Sequence, residues 1–206
     1  MPLSDLIASN NRIMDDDGRH DFDFFFGTWD QVNRKRVRPL VQDDDEWIEF
    51  KSYSRVGPIL NGLGNFDTFD APDFPGRPGF KGMSLRLFEP TTGTWRIWWA
   101  SSVGNGALDP PVEGRFEGGI GKFETDDEID GVAIRVRFTW RDITPTSARW
   151  EQRFSFDGGE TWDLNWTTQH TRVHHVEIDL GRPYSTTVTA HWSAMEHDLR
   201  RCRRFT

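Results

Sequence analysis

Cysteine is nearly absent from this 206-residue chain, which contains only Cys202. A single cysteine cannot form a disulfide within the chain, so the fold is expected to hold together without oxidation. The chain also lacks any apolar run of about 18 residues, the length that a membrane-spanning helix needs. Residues 1–11 have neither the basic start nor the long apolar stretch of a secretory signal. These absences predict a cytoplasmic protein that does not interact with a membrane.

Basic residues are outnumbered, since 25 Lys and Arg stand against 33 Asp and Glu and the formal net charge is −8. Binding to nucleic acid needs a basic face. A short arginine tail at residues 200–204 forms a basic cluster, which is typical of a solvated helix end. We therefore expect no nucleic-acid partner.

The spacings that mark common metal and cofactor sites are missing as well. No arrangement of His, Cys and Asp resembles a zinc site. The chain has no phosphate-binding loop, no dinucleotide fingerprint and no Gly-x-Ser-x-Gly. The sequence predicts no metal and no resident cofactor, with haem as an alternative discussed below.

Tryptophan and phenylalanine, by contrast, are abundant, with 10 Trp and 16 Phe against 2 Tyr. Both residue types favour strands and fill barrel interiors. From residue 22 onward, short alternating segments are separated by Gly, Pro, Asp or Asn clusters. We predict about ten strands, at 23–38, 45–56, 63–70, 79–89, 94–101, 111–118, 120–126, 132–142, 147–156 and 161–173.

The connections between these segments are short, as at 89–94 and 117–120, which leaves antiparallel neighbours as the only sensible pairing. The predicted fold is all-β, a closed antiparallel up-and-down barrel of about ten strands. Residues 22–173 would form the barrel. Residues 1–21 would be an N-terminal extension with a short helix at 3–13, and residues 174–206 a C-terminal extension with a strand at 186–190 and a helix at 193–204. The proline-rich segment 71–79 is predicted to be a long loop, with a lid as the alternative.

A Gly-x-Trp at Gly27–Trp29 starts the first long alternating segment. In small antiparallel barrels, such a Trp plugs the closed end, and the Gly allows another backbone to approach closely. Resemblance to lipocalin-like barrels, in which an Arg of the last strand stacks on the Trp of the first, implies that Arg172 would stack on Trp29 and close the barrel. We expect Trp29 and Arg172 to be structural.

Three strands near the C-terminus each have one aromatic and one charged face. In one interpretation the aromatic faces lie inside. In the other, Arg137, Glu151, Arg153 and Asn165 line a partly polar cavity, where a buried Arg would bind a carboxylate or polarise a carbonyl. The candidate ligand-binding residues are Arg137, Arg153, Asn165, Trp99 and Trp166.

Two residues are candidates for acid–base chemistry. Glu151 would lie beside the arginines, and His170 shares a strand face with Trp166. A histidine in a cavity can act as a general base or hold haem. A lone strand histidine can equally be a structural residue, so both interpretations stay open.

The segment Ser155 to Trp162 matches the Asp-box, Ser-x-Asp-x-Gly-x-Thr-Trp. Propellers carry this motif at several regular repeats, whereas this chain has one copy. We therefore interpret it as a hairpin turn in which Asp157 caps backbone donors and Trp162 packs beneath.

The run at residues 20–29, HDFDFFFGTW, resembles the DUF1579-like uncharacterised proteins of the calycin superfamily. The segments 86–90 (RLFEP), 93–95 (GTW), 98–99 (WW) and 149–152 (RWEQ) are similar in the same order. The resemblance covers about residues 20–173. It implies a lipocalin- or nitrobindin-like closed barrel with no settled activity. Nitrobindins hold haem with a histidine from their C-terminal region, which makes haem at His170 an alternative.

The leading functional prediction is a barrel that binds a hydrophobic or aromatic small molecule bearing a carboxylate or carbonyl. The first alternative is an isomerase, cyclase or hydratase of specialised metabolism. In it, Glu151 or His170 would be the acid or base, and Arg137 or Arg153 would stabilise an enolate. A haem protein and an interaction module complete the alternatives, and a homodimer is compatible with all of them.

Overall fold

The computed structural model describes residues 17–104 and 106–173. Two single-turn 3₁₀ helices, at Asp23–Phe25 and Leu60–Gly62, accompany the strands. The strands are β1 (Gly27–Arg36), β2 (Trp47–Ile59), β3 (Gly64–Ala71), β4 (Phe80–Glu89), β5 (Thr94–Ser101), β6 (Val112–Glu117), β7 (Ile120–Ile129), β8 (Val132–Arg141), β9 (Ser147–Ser155) and β10 (Asp163–Arg172). The helix predicted at 3–13 lies outside the described residues, as do the strand at 186–190 and the helix at 193–204.

Each strand pairs antiparallel with its neighbours in the chain, and β1 also pairs with β10, so that the sheet closes into a barrel. The predicted closed, up-and-down barrel is confirmed. The largest difference from the predicted strands is at the start, where residues 23–25 form a 3₁₀ turn and β1 begins only at Gly27.

The turns follow the local chemistry that the sequence indicates. Between β7 and β8, Asp130 and Gly131 have φ values of 52° and 77°. Two successive positive φ values give the turn whose twist matches antiparallel strands, and Asp-Gly is among the pairs that adopt it most readily. A two-residue connection of this kind fixes which side chains of β7 and β8 face the interior.

Alternation along each strand separates an inner from an outer face. In β1, Trp29, Gln31 and Asn33 are buried, whereas the intervening Val32 and Arg34 are exposed. The same period runs through β2, β8 and β10. The barrel interior therefore contains polar as well as aromatic side chains.

Two aromatic clusters occupy opposite ends of the barrel. The first lies where β1 begins and includes Phe22, Phe25, Trp29 and Trp140. The second is built around Phe50, Phe69, Ala71 and Phe80, which lie at the start of β2, the end of β3 and the start of β4. Because neighbouring strands are antiparallel, these positions meet at the end of the barrel where β1 finishes.

Arg172 closes the first end. Its guanidinium lies 4.2 Å above the Trp29 ring and donates to the carbonyl oxygens of Phe24 and Phe26. Gly27 has a φ of 121°, and a Cβ built there would lie 2.8 Å from Arg172 Nη1. The glycine therefore makes room for an arginine side chain, whereas the prediction was the close approach of another backbone segment.

The Asp-box forms a hairpin turn between β9 and β10. Asp157 accepts hydrogen bonds from Ser155 Oγ at 2.7 Å and from the Thr161 backbone N–H at 2.9 Å. The hydrogen bonds from Thr161, and then that from Ser155, lower the pKa of Asp157. Trp162 Nε1 donates to the Gly159 carbonyl at 2.9 Å, so the motif's hydrogen bonds are satisfied within the turn.

Candidate ligand cavity

A cavity of about 560 Å³ fills the middle of the barrel, between the two aromatic clusters. Its volume falls in the range typical of small-molecule sites. The wall is mainly aromatic and aliphatic. The aromatic residues of the lining are Phe25, Phe69, Trp99, Phe138, Trp140, Trp150, Phe154 and Trp166.

A buried ion pair lies at the base of the cavity, towards the end that Trp29 closes. Arg86 Nη2 contacts Asp67 Oδ2 at 2.7 Å, with only 4% and 6% of the two side chains exposed. Arg86 Nη1 also donates to Asn65 Oδ1 at 3.0 Å. The Ser84 backbone N–H donates to Asp67 Oδ1 at 3.0 Å. The guanidinium charge is therefore neutralised within the wall.

Aromatic rings surround the same guanidinium. Arg86 Cζ lies 5.3 Å from the Phe22 ring centroid, 5.2 Å from that of Phe25 and 5.8 Å from that of Trp140. These are distances at which a cation is attracted to a ring face. The rings also exclude water, so the ion pair is held in a medium of low polarity.

His170 joins this cluster from β10 and is 3% exposed. Its ring centroid lies 5.1 Å from that of Trp140, 5.2 Å from that of Phe25 and 6.1 Å from that of Trp29. Burial, and to a lesser extent the charge of Arg86, lowers the pKa of His170 to about 3. The imidazole is therefore neutral at physiological pH.

Three polar atoms of this cluster have no hydrogen-bond partner among the described residues. They are Arg86 Nε, Trp140 Nε1 and His170 Nδ1, and all three residues line the cavity. Each of the three residues is only 3% exposed. Buried polar atoms are rarely left unpaired, and each one costs roughly 1–3 kcal/mol. We name these three residues the base cluster.

A chain of hydrogen bonds runs along one wall above the base cluster. Ser52 Oγ donates to Gln31 Oε1 at 2.6 Å, and Asn33 Nδ2 donates to Ser52 Oγ at 2.7 Å. Asn33 Oδ1 in turn accepts from Thr168 Oγ1 at 2.8 Å and from Trp166 Nε1 at 3.2 Å. These bonds join β1, β2 and β10 and hold the Trp166 ring in place.

The other end of the cavity is the mouth, where charged residues lie beside aromatic ones. Lys35 Nζ sits 3.8 Å from the centroid of the Trp166 ring. Burial lowers the pKa of Lys35 to about 8, with a further contribution from the charge of Arg77. On the opposite wall, burial and the neighbouring Asp127 raise the pKa of Asp109. The mouth thus carries both signs of charge.

Phe74 comes from the proline-rich segment 71–79 and packs at this mouth. Its ring centroid is 4.4 Å from that of Phe50 and 4.9 Å from that of Phe80. The segment is closed on itself by a hydrogen bond of 2.7 Å from the Gly79 N–H to the Pro72 carbonyl. It therefore forms part of the wall around the opening, and its movement as a lid stays a prediction.

Arg137, Glu151 and Arg153 do not line the cavity. They lie on the outer face, so the interpretation that places these three residues in the cavity wall was wrong. Glu151 is buried even so, because Arg149 and Arg153 clamp its carboxylate at 2.9 and 3.0 Å. The aromatic residues of β8 and β9 occupy the interior instead, since burying rings and leaving arginines at the surface costs less.

Arg137 belongs to a separate surface group. Its Nε contacts Glu124 Oε1 at 2.6 Å, and its guanidinium stacks 3.6 Å above the Trp162 ring of the Asp-box. It is therefore remote from His170. The acid–base site predicted from the sequence, with Glu151, His170, Arg137 and Arg153 together, is not assembled.

The other predicted residues lie at or next to the cavity. Trp99, Trp166 and His170 belong to its lining. Asn165 is 1% exposed and accepts a hydrogen bond of 2.8 Å from Gln152, a lining residue. A bulge between Leu164 and Trp166 shifts the register around Asn165, which explains why it departs from the simple alternation.

Sequence reasoning missed Arg86, Asp67, Trp140 and Lys35. The alternation of β8 places Trp140 on an aromatic strand face but gives no reason to assign it to the site. For Arg86, Asp67 and Lys35, the sequence pattern indicates an inward position only weakly. Lys35 stands in a run of three basic residues, and only its two-residue spacing from Asn33 indicates the inner face.

Among the described residues, no group of three or more His, Cys, Asp or Glu side chains could hold a metal ion. No helix in residues 17–104 and 106–173 has the length and hydrophobicity required to cross a bilayer.

The barrel is of the lipocalin-like, or calycin-like, class, with ten up-and-down strands and almost no helix. No protein-family model matches the chain, and no curated protein matches it. Among solved structures, it is similar to the S-type phycobiliprotein lyase CPES from Guillardia theta. The TM-score is 0.52 at 10% sequence identity, over 75% of this chain and 92% of that chain. At this identity the similarity shows the fold alone.

Proposed function

We propose that this barrel binds a small hydrophobic or aromatic molecule that carries a carbonyl oxygen. The observation that carries the proposal is the base cluster, with its three unpaired polar atoms in the wall of a cavity of about 560 Å³. A ligand oxygen that accepted hydrogen bonds from Arg86 Nε and Trp140 Nε1 would remove a cost of roughly 1–3 kcal/mol for each atom. The aromatic lining would bury the remainder of the ligand.

The charge balance at the base favours a carbonyl over a carboxylate. The charge of Arg86 is already paired with Asp67 at 2.7 Å. His170 is neutral, because burial lowers its pKa to about 3. A ligand carboxylate would therefore bring an uncompensated negative charge into a buried site, which is costly. A neutral acceptor gains the hydrogen bonds without that cost.

A matched pair of probes tests this proposal. We would titrate the protein with 2-acetonaphthone and with 2-ethylnaphthalene, which have the same carbon skeleton and differ in the carbonyl oxygen. Quenching of tryptophan fluorescence reports binding. One hydrogen bond contributes about 0.5–1.5 kcal/mol, so the ketone is expected to bind about threefold to tenfold more tightly.

Trp140→Phe supplies the matched variant, because it removes the indole N–H and keeps an aromatic ring. We expect it to weaken the ketone and leave the hydrocarbon unchanged. Equal affinities of the two probes for the natural protein would refute the role of the base cluster. If neither probe binds, the proposal that the cavity holds a ligand of this class is wrong.

The enzyme alternative depended on Glu151, His170, Arg137 and Arg153, of which only His170 lines the cavity. Glu151, Arg137 and Arg153 lie on the outer face. A pKa of about 3 makes the neutral His170 a weak base. Of the carboxylates that line the cavity, Asp67 is already bound by Arg86, and Asp109, Asp127 and Asp130 lie near the mouth, away from His170.

The haem alternative now rests on His170 alone. Three protein rings, those of Phe25, Trp29 and Trp140, pack around the imidazole within 6.1 Å. We therefore expect no Soret band when haem is added, and a band that disappears in His170→Ala would reverse this conclusion.

We also infer, from the ordered motifs between residues 20 and 152, that the chain belongs with the DUF1579-like proteins. A cytoplasmic location and a homodimer stay predictions.

A further inference from the structure

Lys35 is the lysine that lines the cavity. It follows Trp29, Gln31 and Asn33 on the inner face of β1, and it is partly buried at the mouth. The other three lysines of the chain, at positions 51, 81 and 122, are exposed. Among the described residues, no carboxylate forms an ion pair with the Lys35 amine.

The surroundings of this amine are aromatic. Its Nζ lies 3.8 Å from the centroid of Trp166, whose ring is fixed by its hydrogen bond to Asn33. Trp166 in turn packs against Trp150 and Phe50, with centroid distances of 5.6 and 6.2 Å. A flat molecule in the cavity would therefore have aromatic walls next to a primary amine.

Burial favours the neutral form of Lys35. Burial, and to a lesser extent repulsion from the charge of Arg77, lowers the pKa of Lys35 to about 8. Arg36, its neighbour on β1, is paired with Asp163 at 2.6 Å. The carboxylates that line the cavity near its mouth are Asp109, Asp127 and Asp130, and Arg38 lies on the same rim. At pH 7.5, an amine of this pKa is about one quarter uncharged, roughly 200 times the fraction for an ordinary lysine.

We propose that Lys35 captures aldehydes that enter the cavity and holds them as a Schiff base. This inference rests on the proposed function, since the aldehyde must occupy the same cavity. The uncharged Nζ attacks the carbonyl carbon, and a C–N bond forms while the oxygen takes up a proton. The carbinolamine then loses water, and a C=N bond remains. One amine and one aldehyde thus give one imine and one water, with no change in oxidation state.

The positions of the amine and the base cluster set the length of the ligand. His170 is opposite Gln31 in the register of β1 and β10, and Lys35 lies four residues further along β1. The backbone positions of the two residues are therefore about 13 Å apart along the strand, at roughly 3.3 Å per residue. A naphthalene with carbonyl groups at both ends matches this span, with a ketone at the base and the aldehyde at Lys35.

The test uses 6-acetyl-2-naphthaldehyde with sodium cyanoborohydride, which reduces an imine to a stable amine. Peptide mapping by mass spectrometry would give the labelling rate at each of the four lysines and at the N-terminal amine. Because a less basic amine is also a weaker nucleophile, we expect Lys35 to react about tenfold faster than each exposed lysine at pH 7.5. Its rate should rise with a midpoint near pH 8.

Two variants control the assignment. Lys35→Arg keeps the positive charge near Trp166 and removes the nucleophile, so the fast labelling should disappear. Lys122→Arg changes an exposed lysine on the outside of the barrel and should leave it unchanged. Thermal melts of both variants confirm that they fold.

Fast, selective labelling of Lys35 supports the inference. Labelling that misses Lys35, or that proceeds equally at all four lysines, overturns it. The matching alcohol, in which CH2OH replaces the aldehyde, separates this result from the proposed function. If the alcohol quenches tryptophan fluorescence but the aldehyde does not label Lys35, the cavity binds ligands and the covalent step is wrong. If the alcohol does not bind and Lys35 is not labelled, both are wrong.

Discussion

Replacement of Asp67 by Asn would test whether the Arg86 ion pair is held in a dry interior. The substitution preserves the size of the side chain, and its amide oxygen can still accept the hydrogen bond from the Ser84 N–H. What disappears is the negative charge that lies 2.7 Å from Arg86 Nη2. The guanidinium then keeps its full charge with less than a tenth of its side chain exposed.

The loss of one partner from a buried ion pair costs about 3–5 kcal/mol, because the remaining charge stays desolvated. Two features place Arg86 at the lower end of this range. Asn65 Oδ1 still accepts from its Nη1 at 3.0 Å, and the Phe22, Phe25 and Trp140 rings attract the cation. We therefore expect the free energy of unfolding to fall by about 3 kcal/mol, and the Tm to fall by about 6–12 °C for a domain of this size.

The double variant Arg86→Met with Asp67→Asn removes both charges. If burial of charge is the dominant cost, the double variant is more stable than the sum of the two single substitutions by about 2 kcal/mol. Urea unfolding followed by tryptophan fluorescence gives all four free energies of the cycle. The same double variant should reduce the preference for 2-acetonaphthone over 2-ethylnaphthalene, because the Arg86 Nε donor is gone and only Trp140 Nε1 remains.

A change of less than about 0.5 kcal/mol in Asp67→Asn would refute this reasoning, since surface substitutions have effects of that size. It would mean that water reaches the guanidinium and that the base cluster is solvated. The unpaired atoms at the base would then be bound to water, and they would give no reason to expect a ligand carbonyl there.

Three further predictions follow from single positions. The pKa of His170 is about 3 in the folded protein, whereas that of an unfolded histidine is about 6.5. Between these values only the unfolded state binds the proton. The free energy of unfolding should therefore fall with decreasing pH, by up to about 1.4 kcal/mol per pH unit. His170→Gln should remove this part of the slope in urea titrations from pH 7 to 4, and an unchanged slope would contradict the assignment. In Gly82→Ala, the new Cβ would lie 2.2 Å from Trp99. Displacement of the indole should cost about 1–3 kcal/mol of stability and weaken the binding of 2-acetonaphthone. An unaltered affinity would show that Trp99 does not contact the ligand. Arg172→Lys removes the planar group that stacks 4.2 Å above Trp29 and should lower the Tm, whereas an unchanged melt would show that the end of the barrel closes without it.

The fold was predictable because its determinants are local. Period-two alternation and short turns such as Asp130–Gly131 specify antiparallel neighbours, and a meander of ten strands has few ways to bury its edges. Trp29 and Arg172 belong to the first and last strands, so their expected stacking also indicated where the sheet closes. The pairing of neighbouring strands needed no distant contact to be known in advance, whereas the contact of Trp29 with Arg172 came from the resemblance to lipocalin-like barrels.

The site was less predictable because its polar residues depend on register and burial. In β4, the outer face carries Met83, Leu85 and Leu87, so the alternation alone gives no reason to place Arg86 inside. Glu151 shows the reverse, since it is buried on the outer face by two arginines. The sequence pattern reports polarity, and polarity alone does not distinguish a buried ion pair from a solvated one.

The base cluster lowers the stability of the fold if the cavity has no ligand. Its three unpaired atoms cost roughly 1–3 kcal/mol each, against a total stability of about 5–15 kcal/mol for an ordinary domain. Apolar residues at positions 67, 86 and 170 would fill the same end of the barrel without that cost, and substitutions of buried ion pairs by apolar side chains are often stabilising. Local violations of this kind are typical of functional sites, where stability is lost in favour of binding. For this reason a ligand acceptor at Arg86 and Trp140 accounts for the arrangement better than a purely structural core does.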